Sequence, residues 1–163
     1  MTAPSKPLLL LDIDGVLCPL VLRPPETSDP LWVTTAEFVD RAVPGWLDLL
    51  AGAFDIHWAS SWGTDANEIF GPALGLQRLP SVIFSRGALL SRGARRTWKL
   101  ADVAEYAGAR PLAWVDDELY EDANAWAHAR NERVRTLLVR TSGSNGLQES
   151  DVDALLAFAQ ECQ

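Results

Sequence analysis

The chain has 163 residues, 48% of them hydrophobic, and a net charge of −8. That length and apolar content suit one globular domain, residues 1–163, with a sizeable core, and they exclude a disordered chain. The negative total disfavours nonspecific attraction to a phosphate backbone, and no apolar run approaches membrane-spanning length.

The amino-terminal apolar run is broken by Asp12 and preceded by only one lysine, Lys6, so it does not read as a signal peptide. Cys18 and Cys162, the two cysteines, lie far apart without ligand-like spacing. They are expected to be free thiols of a cytoplasmic protein, forming neither a disulfide framework nor a zinc site.

In chain order, Leu8 to Leu11 is an apolar run of the kind buried on both faces of a parallel sheet, and Gly15 marks the turn beyond it. The proline-rich stretch from Cys18 to Phe38 is too broken for a long helix and predicts a flap or short hairpin. Pro44 opens a helix carrying Trp46, Leu47, Leu49 and Leu50. A second strand, FDIHWAS, leads into the polar helix start SWGTDANEIF; a third, SVIF, precedes a Gly- and Arg-rich loop. TWKLADVAEYAG predicts a helix closed by Gly108, followed by strand PLAWVDD, helix ELYEDANAWAHARNER and strand VRTLLVR. After the loop TSGSNGLQES, the spacing of Ser150 and Asp153 suggests a capping box for a last helix bearing Val152, Leu155, Leu156 and Ala159.

Five strands alternating with helices predict an α/β fold, a three-layer Rossmann-like parallel sheet whose ligands bind outside the strands' carboxyl ends. Those ends carry Asp12 and Asp14 after the first strand, Ser60 and Ser61 after the second, and Asp116 and Asp117 after the fourth. Lys99 begins the helix that feeds the fourth strand. Several carboxylates without histidine or thiolate suit a hard divalent cation such as Mg²⁺, completed by phosphate oxygens. A carboxylate can attack phosphorus when a metal and a lysine neutralise the opposing charge, and a second carboxylate two residues on can protonate the leaving oxygen. The set points to phosphoryl transfer.

Asp12-Ile13-Asp14-Gly15-Val16-Leu17, Ser60 after IHWA, Lys99, and Asp116-Asp117 after LAWV resemble the four ordered motifs of the haloacid dehalogenase superfamily. The resemblance implies that Asp12 is the nucleophile and a Mg²⁺ ligand. It makes Asp14 the general acid and base, its backbone carbonyl also on the metal. Ser60 would hydrogen-bond the transferring phosphoryl group, with Ser61 as the neighbouring alternative. Lys99 would neutralise its charge; Asp116 and Asp117 would hold the metal. An aspartate at position 14 favours a phosphatase or phosphotransferase over dehalogenation or carbon–phosphorus cleavage.

Singly, these residues have ordinary explanations: a turn former at Asp14, a helix cap at Ser60, a solvated Lys99, acidic residues favouring a helix amino terminus at Asp116 to Glu118. Jointly they favour a Mg²⁺-dependent phosphomonoester hydrolase working through an aspartyl phosphate. A polynucleotide 3′-phosphatase is the alternative within the enzyme class, and a non-catalytic phosphate-sensing domain the alternative outside it. No large cap insertion is expected, since the interval after the first strand holds only the flap and Ser85 to Thr97 only a short loop. An open site admits phosphorylated small molecules or a phosphoester exposed on a macromolecule, with nucleic acid less favoured by the acidic total. No acidic residue separates Glu68 from Asp102, while Arg78, Arg86, Arg92, Arg95, Arg96 and Lys99 fall inside that interval. This local basic segment is either a solvated surface or a collector of anionic substrate. Trp32, Trp62 and Trp98 lie in the flap, beside Ser60 and beside Lys99, as packing or as a wall for a base or sugar.

Overall fold

The computed structural model describes residues 6–19, 39 and 42–162. Residues 20–38 of the predicted flap, Trp32 among them, lie outside these. Strands β1 (Leu8–Leu11), β2 (Asp55–Trp58), β3 (Leu112–Asp116) and β4 (Thr136–Arg140) form one sheet in the order β2-β1-β3-β4, every neighbouring pair parallel. Between and after them run helices α1 (Val43–Ala53), α2 (Ala66–Ile69), α3 (Gly71–Leu74), α4 (Arg86–Leu90), α5 (Leu100–Ala107), α6 (Glu121–Asn131) and α7 (Glu149–Glu161).

The four leucines of β1 explain the layering. Because side chains alternate along a strand, Leu9 and Leu11 enter one core with Leu47 and Leu50 of α1 and Val152, Leu155 and Phe158 of α7. Leu8 and Leu10 enter a second core with Trp114 of β3, Val103 of α5 and Ala123 of α6. All four leucines are fully buried. Each contributes on the order of 1.5–3 kcal/mol relative to an exposed position. Helices therefore cover both faces, as the unbroken apolar run requires.

Among the described residues, the expected five-stranded sheet is corrected to four strands. SVIF lies beside β2 but makes only the parallel bridge Trp58↔Ser81, with Trp58 N donating to Pro80 O and Val82 N to Trp58 O. Pairing stops there because β2 itself ends at Trp58; Ile83 is already 68% exposed and Ser85 caps α4. The cap of the last helix lies two residues earlier than expected: Gln148 is the N-cap, and Asp151, not Asp153, closes the capping box. Gly71 and Pro72 split the helix expected after SWG into α2 and α3. The interval from Ser85 to Thr97 holds only the five-residue α4. No helix of the described residues is long and apolar enough to cross a membrane.

Candidate active site

The carboxyl ends of β1, β2 and β3 lie side by side, which brings distant parts of the sequence to one edge of the sheet. Asp12 directly follows β1, its amide bonded to Val115 O at 3.1 Å, and Asp116 is the last residue of β3. Lys99 caps α5 and reaches between them: its Nζ donates to Asp12 Oδ2 at 2.7 Å and to Asp116 Oδ2 at 2.6 Å. All three are nearly inaccessible, at 5%, 2% and 1% exposure.

This burial carries a definite electrostatic signature. Desolvation alone would lower the Lys99 pKa, but the Asp12 and Asp116 carboxylates overcome it and hold the ammonium up at about 12. Two carboxylates sharing one ammonium remain a negative pair. Burial, helped by the Asp12 charge and opposed by Lys99, pushes Asp116 up to about 7. Burial, with the charges of Asp12 and Glu118, pushes Asp117 up to about 6. Carboxylate oxygens of Asp12, Asp116 and Asp117 come within 4.8 Å of one another. An all-oxygen, anion-crowded set of this kind fits a hard divalent cation such as Mg²⁺.

The shifts make a prediction with a determined sign. With folded pKa values raised from 3.8 to about 7 and about 6, Asp116 and Asp117 hold protons in the fold that the unfolded chain releases. Their contribution to stability is therefore largest near pH 4 and is lost as the pH rises through 6 to 7. A divalent cation held by this cluster would bind the ionised form and offset that loss. Thermal melts in millimolar Mg²⁺ and in EDTA are expected to differ more at pH 8 than at pH 5; an equal difference at both values would contradict the assignment.

Asp14 sits one turn beyond Asp12. The amides of Val16, Leu17 and Cys18 all converge on Ile13 O, folding the chain back on itself, and Trp62 Nε1 donates to Asp14 Oδ2 at 3.0 Å. Trp62 in turn packs edge-on against Phe70. The Asp14 carboxylate thus stands apart from the three crowded oxygens, held by an aromatic donor from the loop after β2. Gly15 has φ +74°, and a Cβ there would lie 2.3 Å from Asp117 Oδ2, so only glycine lets the turn and the Asp117 carboxylate meet.

A cleft of about 180 Å³ opens onto this cluster, lined by Asp12, Asp14, Ser61, Arg92, Trp98, Lys99, Asp117 and Glu118. Of the two serines, Ser61 lines the cleft, whereas Ser60 is 1% exposed and its Oγ accepts from Trp62 N at 3.4 Å. Trp98 donates from Nε1 to Glu118 Oε2 at 2.9 Å and packs edge-on against Phe84.

Several supporting residues escaped the sequence reading. Thr141, just after β4, is buried and donates from Oγ1 to Gly15 O at 2.8 Å; Leu147 N donates to Val16 O at 2.7 Å. The loop after β4 therefore braces the turn that carries Asp14. Asp122 of α6 accepts from Thr97 N and Oγ1, and Thr97 Oγ1 also accepts from Tyr120 N, which fixes the approach to Lys99. The only available signal was position: Thr141 ends a predicted strand on the same sheet edge as Asp12.

A parallel sheet of this order, with paired aspartates after its inner strand, a lysine from a preceding helix and an acidic end to the neighbouring strand, defines the haloacid dehalogenase (HAD) superfamily class. Residues 8–152 match the family described as the HAD domain in Swiss Army Knife RNA repair proteins, and the chain belongs to that family. Comparisons with curated proteins and with solved structures gave no match.

Proposed function

We propose that the chain is a single hydrolase domain that releases phosphate from phosphomonoesters, with Asp12 as nucleophile. The observation that carries this reading is the meeting of Asp12, Lys99, Asp116 and Asp117 at one sheet edge, with Asp14 on the adjoining turn. Mg²⁺ held by Asp12, Asp116, Asp117 and the backbone carbonyl of Asp14 would supply charge neutralisation for the phosphoryl oxygens.

In the proposed reaction an Asp12 carboxylate oxygen bonds to phosphorus while the bond from phosphorus to the ester oxygen breaks. Asp14 gives its proton to the departing oxygen. It then takes a proton from water as that water attacks the phosphorus of the aspartyl phosphate, which frees inorganic phosphate and restores the Asp12 carboxylate. Lys99 stays an ammonium throughout, because its carboxylate partners hold its proton, and it lowers the repulsion between Asp12 and the incoming anion. Ser60 donates its hydroxyl to a phosphoryl oxygen, with Ser61, which lines the cleft, as the alternative donor.

The family's description also bears on the substrate. Its RNA repair context, with the arginine-rich segment beside the cleft, favours the phosphorylated end of a nucleic-acid strand over a free metabolite. A panel containing an aryl phosphate, nucleotides, sugar phosphates and a 3′-phosphorylated oligoribonucleotide tests this. Phosphate release that requires Mg²⁺, stops in EDTA and is fastest on the oligonucleotide is expected. Ser60→Ala should lower kcat roughly 10²-fold or more, the usual cost of one donor to a developing oxyanion, and Ser61→Ala less; the reverse order would move the phosphoryl contact to Ser61.

A further inference from the structure

Among the described residues, the cleft contains one cation that the reaction described above does not use. Arg92 is exposed and lines the cleft beside Asp12, Asp117 and Glu118, yet among the described residues no carboxylate pairs with it. Its guanidinium carbon instead lies 5.1 Å from the centroid of the Trp98 ring. Trp98 is 6% exposed and fixed by Glu118 and Phe84, so it is a rigid platform. Lys99, the other cation of the cleft, is fully committed to Asp12 and Asp116. Arg92 is therefore a pre-oriented planar donor whose hydrogen-bonding fork remains available to an anion.

Trp98 is also a wall shared with a second, larger space. That space is a groove of about 480 Å³, lined also by Ser91, Arg96, Ala104 and Trp126 among others. Among the described residues the one carboxylate in its lining, Asp122, is tied to Thr97. The acidic cleft, where a metal would fit, and the mostly apolar groove with Arg96 and Trp126 thus share the Trp98 wall, and Arg92 lies over that ring. A phosphomonoester of a small metabolite would occupy only the cleft. A strand end is long enough to pass Arg92 and reach the groove as well.

We infer that Arg92, laid over Trp98, receives the phosphodiester next to the terminal phosphate of a nucleic-acid strand, and that the groove beyond Trp98 takes the adjoining nucleoside. The inference rests on the proposed phosphatase reading for what occupies the cleft, but its own content is the recognition of the penultimate nucleotide. A guanidinium matches a phosphodiester with two parallel donors, and Arg96 adds charge along the groove.

The test measures binding and turnover separately. Binding of a fluorescent 3′-phosphorylated oligoribonucleotide is followed by anisotropy on the Asp12→Asn background, with Mg²⁺ present, for Arg92, Arg92→Ala, Arg92→Lys and Arg86→Ala. Arg86 belongs to the same basic segment but does not line the cleft. Arg92→Ala is expected to weaken binding roughly tenfold, the loss of one charge-assisted contact, and to reduce the slope of log affinity against log salt by about 1. Arg92→Lys should restore the salt slope without restoring the full affinity, because a point charge replaces the fork, while Arg86→Ala leaves the affinity within about twofold. In turnover with Asp12 intact, KM for the oligonucleotide should rise far more than KM for a 3′-phosphorylated mononucleoside, which lacks the penultimate phosphodiester. If Arg86→Ala weakens binding as much as Arg92→Ala, or if both substrates' KM values rise together, the inference is overturned. Arg92-dependent binding without phosphate release from either substrate would overturn the phosphatase reading and leave the subsite standing.

Discussion

Asp12→Asn is expected to abolish phosphate release, by on the order of 10⁴-fold or more, the scale on which loss of a covalent nucleophile is felt in other hydrolases. An amide has no charge with which to attack phosphorus and is a poor metal ligand, so no residual route through the same atom survives. The fold should not suffer. Asp12 raises the pKa values of both Asp116 and Asp117, so removing its charge relieves the crowding rather than creating it. The single amide oxygen can still accept from Lys99 Nζ, as Asp12 Oδ2 does at 2.7 Å, at the cost of the bond that Oδ1 now accepts from Ile13 N at 2.8 Å. A metal-free melting temperature close to that of the wild type, the relieved charge offsetting the lost bond, together with lost activity, is the expected pair of results. A fall in both would make Asp12 a structural residue.

Lys99→Met should do the opposite to stability. Methionine preserves much of the stem's volume but leaves Asp12 and Asp116 facing each other, buried, without the ammonium that now bonds to both. Breaking a buried ion pair by removing one partner costs roughly 3–5 kcal/mol. For a chain of this length that is roughly 10 °C in Tm. The penalty has a pH dependence that separates it from a packing defect. Lys99 lowers the Asp116 pKa, so without it Asp116 holds a proton to still higher pH, and protonation removes one of the two opposing charges. Metal-free melts should therefore show a larger loss at pH 8 than at pH 5, where a defect of packing alone would cost the same at both. Phosphate release should also fall sharply, since the incoming anion would meet Asp12 uncompensated.

The sequence carried the chemistry of the site further than its architecture. Leu8 to Leu11 could be read as a strand buried on both faces because an unbroken apolar run has no solvent side, and the two cores on either side of β1 bear that out. Asp12, Asp14, Lys99 and Asp116 could be singled out because each stands at the end or start of such an element. The edge of the sheet was not legible in the same way. SVIF has strand composition, but whether it pairs depends on how far β2 extends, and β2 stops at Trp58. Propensity cannot report the length of a neighbour.

Side-chain partners were hidden for a related reason. Trp62 was open to reading as a wall for a base, yet its indole N–H holds Asp14 instead. Trp98 does border the cleft, but as the platform beneath Arg92. The bracing of the Asp14 turn by Thr141 and Leu147 depends on contacts across more than 100 residues, beyond the reach of local spacing. A closer pair would have been just as obscure: the capping box of α7 moved to Gln148 and Asp151 because glutamine can supply the N-cap acceptor that a serine usually does.

The most direct test of the account is the site of covalent labelling during turnover. The protein, with Mg²⁺ and a substrate radiolabelled in its terminal phosphate, is quenched in acid within a single turnover, digested, and mapped by peptide. The account predicts label on the peptide bearing Asp12, stable to acid and released by hydroxylamine as an acyl phosphate must be. Phosphate release without label on Asp12, or with label on Asp116 or Asp117, would contradict it.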